Sequence, residues 1–169
     1  LFLDTFVLDM DRGYLYLNFS EFIDVSSFNV SAITFQDRSD SNSASESYKL
    51  SDKSFVITPD SQDIIVDLKS GNDDYDALSK LYYIGKYKSK TYIYITLYLA
   101  SDFANPPNYV TPISRHNAKE ATDIISDSKA PELTAFHLDN IQTKNLSLYL
   151  DEPVFVFENM DISNCIQIL

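Results

Sequence analysis

The sequence predicts an all-β protein, and three observations carry that expectation. Stretches that alternate apolar and polar side chains recur along the chain, the signature of half-buried strands. Short clusters of Asp, Ser, Asn and Pro separate them, as turns require. Only one segment has a helical pattern. With 169 residues, 44% of them hydrophobic and 14% aromatic, the chain has the composition of a folded domain rather than a disordered one. A domain of this length buries roughly 70% of its unfolded surface, so a core forms without covalent staples.

Taken in order, residues 14–19 alternate strictly, with Leu15, Leu17 and Phe19 on one face. Residues 32–36 are a short β-branched and aromatic run. Residues 54–58 stop at Pro59, which donates to no ladder and suits an edge or a strand end. Residues 63–68 form the next strand. Residues 71–81 read as a short connector helix, with acids in the first turn and Lys80 near the end, favourable for the dipole. Residues 91–100 are expected to be the longest strand. There Ile93, Ile95, Leu97 and Leu99 face one way, and Tyr92, Tyr94, Thr96 and Tyr98 the other. Residues 38–47 are a polar, Ser-rich loop, residues 105–108 a stiffer loop with two prolines, and residues 126–131 a linker.

Composition removes several functions. Lys plus Arg is 13 against 25 Asp plus Glu, a net charge of −12. Nucleic-acid binding depends on cations that neutralise phosphates, and anionic membrane surfaces are disfavoured for the same reason. No apolar run approaches the roughly 18 residues of a membrane-spanning helix. The three glycines, Gly13, Gly71 and Gly85, allow no phosphate-cradling glycine motif. One cysteine, Cys165, forms no disulfide within the chain, and with His116 and His137 it does not supply the four N or S ligands of a zinc site. The chain begins Leu1-Phe2-Leu3-Asp4, without Met or a signal-peptide pattern. It reads as a piece of a longer polypeptide or a processed product.

An internal repeat organises the chain. Phe6-Val7-Leu8-Asp9 matches Phe136-His137-Leu138-Asp139 at an offset of 130, and residues 15–21 match residues 146–152 at an offset of 131. Phe28-Asn29-Val30-Ser31 then matches Met160-Asp161-Ile162-Ser163. The expected organisation is one complete unit, residues 1–131, and the first strands of a second, residues 132–169. Two or three strands do not bury an apolar face by themselves, so either the chain is truncated or these orphan strands are completed by another polypeptide through strand addition.

The opening pattern set by Phe6, Leu8, Asp9, Asp11, Gly13, Leu15, Leu17, Phe19, Ser20 and Glu21 resembles the first strands of bacterial-type immunoglobulin-like repeats. Ser101-Asp102-Phe103-Ala104-Asn105-Pro106 is similar to their Asp-x-x-Gly-Asn-Pro loop, with Ala104 in place of glycine, and Ala130-Pro131-Glu132-Leu133 to their inter-repeat linker. The resemblance spans nearly the whole chain. It implies an immunoglobulin-like β-sandwich, the class that strand count and spacing also favour. It further implies a mechanical or adhesive role in secreted surface-layer proteins, adhesins or flagellar-hair-like filaments of algae and protists. It implies no catalytic residues.

Candidate sites are few. Asn18, Asn29 and Asn145 each open an N-glycosylation sequon. Such triplets also arise by chance in an Asn- and Ser-rich chain. Tyr14, Tyr16, Tyr92, Tyr94 and Tyr98 lie opposite the aliphatic stripes. They either form cross-strand aromatic pairs or make a packing surface for neighbouring subunits or sugars. Leu146, Leu148 and Leu150 form the apolar face of the second unit. Asp9, Asp11, Asp102 and Asp139 are turn acids; calcium would need six to eight oxygens, and no Asp-x-Asp-x-Asp-Gly loop is present. A Ser114–His116–Asp123 set has sequence proximity but no nucleophile elbow, and nothing selects a carboxylate pair for glycoside hydrolysis.

The sequence therefore points to a non-enzymatic structural subunit of an extracellular, glycosylated filament. Its partners are copies of itself and covalent glycans, and it needs no cofactor or metal. The alternative is an adhesin or receptor repeat that recognises carbohydrate or protein through its loops.

Overall fold

The computed structural model describes residues 1–71, 73–139, 145–151 and 154. The chain divides into two compact units, Leu1–Lys129 and Ala130–Leu169. Their described residues form three β-sheets and one short α-helix.

The first unit begins with β1 (Leu3–Asp9) and β2 (Tyr14–Ile23), followed by β3 (Ile33–Gln36), β4 (Ser47–Lys49), β5 (Phe55–Val56) and β6 (Ser61–Asp67). Then come helix α1 (Asp73–Ser79), β7 (Tyr92–Ile95), β8 (Lys119–Glu120) and β9 (Asp123–Ile125). One sheet has the order β5-β6-β2-β1-β9, the other β4-β3-β7-β8. Every pairing is antiparallel except β1 with β9, which is parallel. Strict alternation decides which face of β2 turns inward: Leu15, Leu17 and Phe19 are buried, and Tyr14, Tyr16 and Asn18 half-buried. Those residues share one core with Phe6 and Leu8 of β1, Ile33 and Phe35 of β3, and Ile93 and Ile95 of β7. The Phe6 and Phe35 rings meet edge to face at 6.5 Å, one from each sheet.

The β1–β2 turn shows why Asp9 and Gly13 stand where they do. The buried Asp9 carboxylate accepts the Arg12 amide at 2.9 Å, and its carbonyl accepts the Gly13 amide at 2.9 Å. Gly13 has φ +75°, and a Cβ there would lie 2.6 Å from the Lys69 Cβ. Only glycine fits both demands.

Several expectations change. The strand expected over residues 91–100 ends at Ile95. Its partner β3 starts at Ile33, directly opposite Ile95, and a 3-10 turn over Val30–Ala32 precedes it. Thr96 still donates to Ala32 O at 3.0 Å, but the ladder then has no partner strand. The chain turns, Tyr98 takes φ 65°, Leu97 is 64% exposed and Leu99 is buried. Leu97 and Leu99 thus do not share a face, and Tyr98 is a turn residue. Strands β4, β8 and β9 are two or three residues long, too short to show a period. Pro59 does follow an edge strand, since β5 closes one side of its sheet. Helix α1 is shorter than the stretch 71–81, and residue 72 lies outside the described residues.

The polar stretch 38–47 is sewn down. Asp37, fully buried, accepts the Ser45 amide at 2.7 Å, the Ser45 hydroxyl at 2.9 Å and the Glu46 amide at 3.0 Å. Glu46 in turn accepts the amides of Tyr82, Tyr83 and Ile84. The buried Asp74 carboxylate of α1 accepts the Tyr48 hydroxyl, the Ser51 amide and the Ser54 hydroxyl. It fastens the helix to the crossover between the two sheets. Burial and this Asp74 contact push the Tyr48 hydroxyl pKa up.

The described residues of the second unit form β10 (Leu133–Asp139) and β11 (Asn145–Leu150), paired antiparallel. The two strands expected to be orphans pair with each other. Their register repeats that of β1 and β2 throughout. Phe6↔Leu17, Leu8↔Leu15 and Asp9↔Tyr14 correspond to Phe136↔Leu148, Leu138↔Leu146 and Asp139↔Asn145. Both hairpins carry an irregularity at the same step, Leu3/Thr5 in one and Leu133/Ala135 in the other. Residues 140–144 lie outside the described residues, as does the stretch 160–163 matched to residues 28–31.

Two predictions follow from these carboxylates. Asp74→Ala strands three donors that are buried or half-buried, so the unfolding free energy should fall by about 3 kcal/mol in urea titrations. Burial opposes ionisation of Asp37, but the Glu46 and Ser45 hydrogen bonds outweigh it and hold its carboxyl below the usual range. A lowered folded pKa contributes stability above the unfolded value, about 3.9, and that stability is lost as pH falls through the folded value. The urea midpoint should therefore drop on acidification below about pH 4, and less steeply in Asp37→Asn. An unchanged slope in that variant would remove Asp37 from the account.

Candidate interaction surfaces

The expected interface tyrosines do not form one surface. Tyr14 and Tyr16 lie on the outer face of the five-stranded sheet, with rings 6.2 Å apart at 81°. Tyr16 sits between Val7 and Ile65 on the flanking strands. A shallow cavity of about 280 Å³ opens beside it, lined by Thr5, Val7, Asn18, Asp63 and Ile65 among others. Tyr92 and Tyr94 lie on the other sheet, opposite Gln36 and Thr34. Burial, then the nearby Glu120, pushes the Tyr92 hydroxyl pKa up. Tyr98 stands apart on its turn, 60% exposed, its ring 4.9 Å from Tyr109. Two of these positions are therefore sheet faces and the third is a loop.

The sequons differ in access. Asn18 is half-buried and its side-chain amide donates to Asp63 at 2.6 Å. Asn29 is exposed and its side-chain oxygen accepts the Ser31 hydroxyl at 2.7 Å, within the sequon itself. Asn145 opens β11, and its side chain lies outside the described residues.

The turn acids are engaged in the backbone. Asp11 accepts the Ser128 hydroxyl and amide, which hold its carboxyl below the usual range. Asp102 accepts the Asn108 side chain at 2.7 Å, the Asn108 amide at 2.8 Å and the Ala104 amide at 3.0 Å, and it is held low by the same Asn108 contacts. Asn105–Pro106 in this loop is cis. Among the described residues no three acids, histidines or cysteines converge to hold a metal ion. His116 meets Asp40, at 2.9 Å from Nδ1, and Ser41, rather than Asp123; its amide donates to Ser114 Oγ. These groups are on the surface without a nucleophile turn.

Among the described residues, the hairpin of the second unit presents an exposed apolar face. Phe136 is 68% exposed, and Leu133, Leu138, Leu148 and Leu150 are also exposed, with Leu146 half-buried. The residues at the same register positions in the first unit, Phe6, Leu3, Leu8, Leu17, Phe19 and Leu15, are all buried. Sequence reasoning missed a further group of exposed apolar side chains at Phe2, Phe22, Leu97, Phe103 and Tyr109. Its one signal was Phe103, standing in a loop where a solvated residue would serve.

Comparison of the chain with protein-family models, with curated proteins and with solved structures found no match.

The contrast in burial is directly measurable. Phe6→Ala or Leu17→Ala should cost about 3 kcal/mol of first-unit stability, whereas Phe136→Ser or Leu148→Ser should change it by less than about 0.5 kcal/mol. Urea titration of first-unit unfolding reads both, and comparable costs would contradict the assigned burial.

Proposed function

We propose that the chain is a structural subunit of an extracellular, glycosylated filament, built from bacterial-type immunoglobulin-like repeats. The first unit would be one immunoglobulin-like β-sandwich. The two sheets with their shared core and the β1–β9 pairing support that reading. The second unit would be the opening of the next repeat.

One observation carries the assembly reading. The β10–β11 hairpin reproduces the β1–β2 register, irregularity included, but its apolar face is exposed. Among the described residues these two strands pair only with each other, and two strands by themselves are marginal in water. Covering that face with a neighbouring chain releases on the order of 25 cal/mol per Å² of apolar surface, and the hairpin edges offer backbone groups for strand addition. The outer tyrosines would then pack laterally, and sugars at Asn18, Asn29 or Asn145 would coat the outside. No catalytic role is assigned.

Negative-stain electron microscopy of the purified chain tests this. Filaments with a regular axial repeat are expected, and Leu148→Asp should dissolve them. Monodisperse particles for the unaltered chain would overturn the reading and favour the adhesin or receptor alternative. Glycosylation is checked separately: secretion from eukaryotic cells should yield a mass that falls on enzymatic glycan removal, and Asn29→Gln should remove one step of it.

A further inference from the structure

A cavity of about 320 Å³ opens on the first unit, between the connection from β2 to β3 and the connection from β4 to β5. Its size falls within the range of small-molecule sites, roughly 300–1,000 Å³. Phe28, Phe55 and Val56 give it apolar walls, and Asn29, Ser31 and Asp52 give it polar ones. Such a mixture suits a sugar, whose ring has an apolar C–H face and polar substituents. Asn29-Val30-Ser31 is also a sequon, so a candidate attachment point forms part of the cavity wall.

Asn29 is held in place from three sides. Its backbone amide donates to Leu99 O at 2.7 Å, its carbonyl accepts the Ala32 amide at 3.0 Å, and its side-chain oxygen accepts the Ser31 hydroxyl at 2.7 Å. Among the described residues its Nδ2, the atom that joins a sugar, makes no hydrogen bond. Asn18 differs: its Nδ2 donates to Asp63 on the face of an inner strand, so a sugar there would displace that bond. The cavity also lies against a sheet edge. β5 is the last strand on its side of the five-stranded sheet, and its Phe55 is exposed. Such edges are blunted by charge or brevity, or are covered.

We infer that Asn29 carries an N-linked oligosaccharide whose first sugar, an N-acetylhexosamine, lies in this cavity against Phe55 and covers that part of the β5 edge. The donor is a lipid-pyrophosphate-linked oligosaccharide. Asn29 Nδ2 forms a bond to C1 of the sugar and gives up one proton, while the bond from C1 to the pyrophosphate oxygen breaks and the lipid pyrophosphate leaves with its electrons. In the folded chain the C–H face of the ring removes Phe55 and Val56 surface from water, and its polar groups face Asp52 and Ser31. The inference rests on the glycosylated reading proposed above, but it does not depend on filament assembly.

The test uses the full chain with Asn18→Gln and Asn145→Gln, which leaves Asn29 as its single sequon. It is secreted from eukaryotic cells, trimmed by an endoglycosidase to the first sugar, and compared with the same polypeptide made in bacteria without sugar. Glycopeptide mass should place the sugar on Asn29, and the Tm of the trimmed form should exceed that of the bare form by about 3 °C. In Phe55→Ala the difference should shrink below about 1 °C. Ile57→Ala should keep it, because Ile57 is exposed on the same strand end but outside the cavity wall. A sugar on Asn29 without the Tm difference, or with a difference that Phe55→Ala leaves intact or that both variants lose alike, overturns the cavity contact and leaves the glycosylated reading standing. A bare Asn29 in the secreted chain overturns the site. If the secreted chain with all its sequons is bare as well, the glycosylated reading falls with it.

Discussion

The pairing of β1 with β2 in the middle of the five-stranded sheet is the constraint on which the first unit rests. Both strands are flanked, β2 by β6 and β1 by β9, and their inner face supplies six of the large buried side chains. Phe6 reaches across to Phe35, so the second sheet is positioned by the first. A one-residue slip in this pair would send every inner side chain outward. The Asp9–Gly13 turn opposes it, because its carboxylate and its left-handed glycine fit one register only.

The same acids that give the chain its charge do much of its local folding. Asp9, Asp24, Asp37, Asp67, Asp74 and Asp102 each accept one or more backbone amides in turns or crossovers. With only three glycines, the chain closes its turns by side-chain capping rather than by backbone freedom, as Asx turns do. An acidic composition thus reads at first as a solvated surface, while part of it is internal scaffolding. That role was hidden in the sequence because the acceptor and donor are often far apart, as with Asp74 and Tyr48.

Strict alternation made the long strands legible: β2 and β6 appear where the pattern places them, and Pro59 marks an edge. The misreading of residues 96–100 has a physical cause. Alternation reports which faces differ in polarity, not whether a partner strand continues alongside, and here the partner begins only at Ile33. The likeness of the two hairpins was legible as matched residues at offsets of 130 and 131, and their shared irregularity could be seen only once strands were paired. Of the candidate site, the leucine stripe of the second unit was visible from its spacing. The exposed aromatics Phe2, Phe22 and Phe103 were not, because they come from stretches far apart in sequence and only tertiary structure relates them.

The parallel pairing of β1 with β9 has a mechanical consequence. β1 enters at one end of the unit, and β9 leaves at the other, beside it and running the same way. Tension between the start and finish of the unit therefore slides the two strands past each other lengthwise. The bonds between them, including Thr122 N to Phe6 O and Met10 N to Ile125 O, both 2.8 Å, share the load and must yield together. A hairpin pulled at its open end would instead unzip one bond at a time. The connectivity of this unit places its shear-resistant seam along the line of pull.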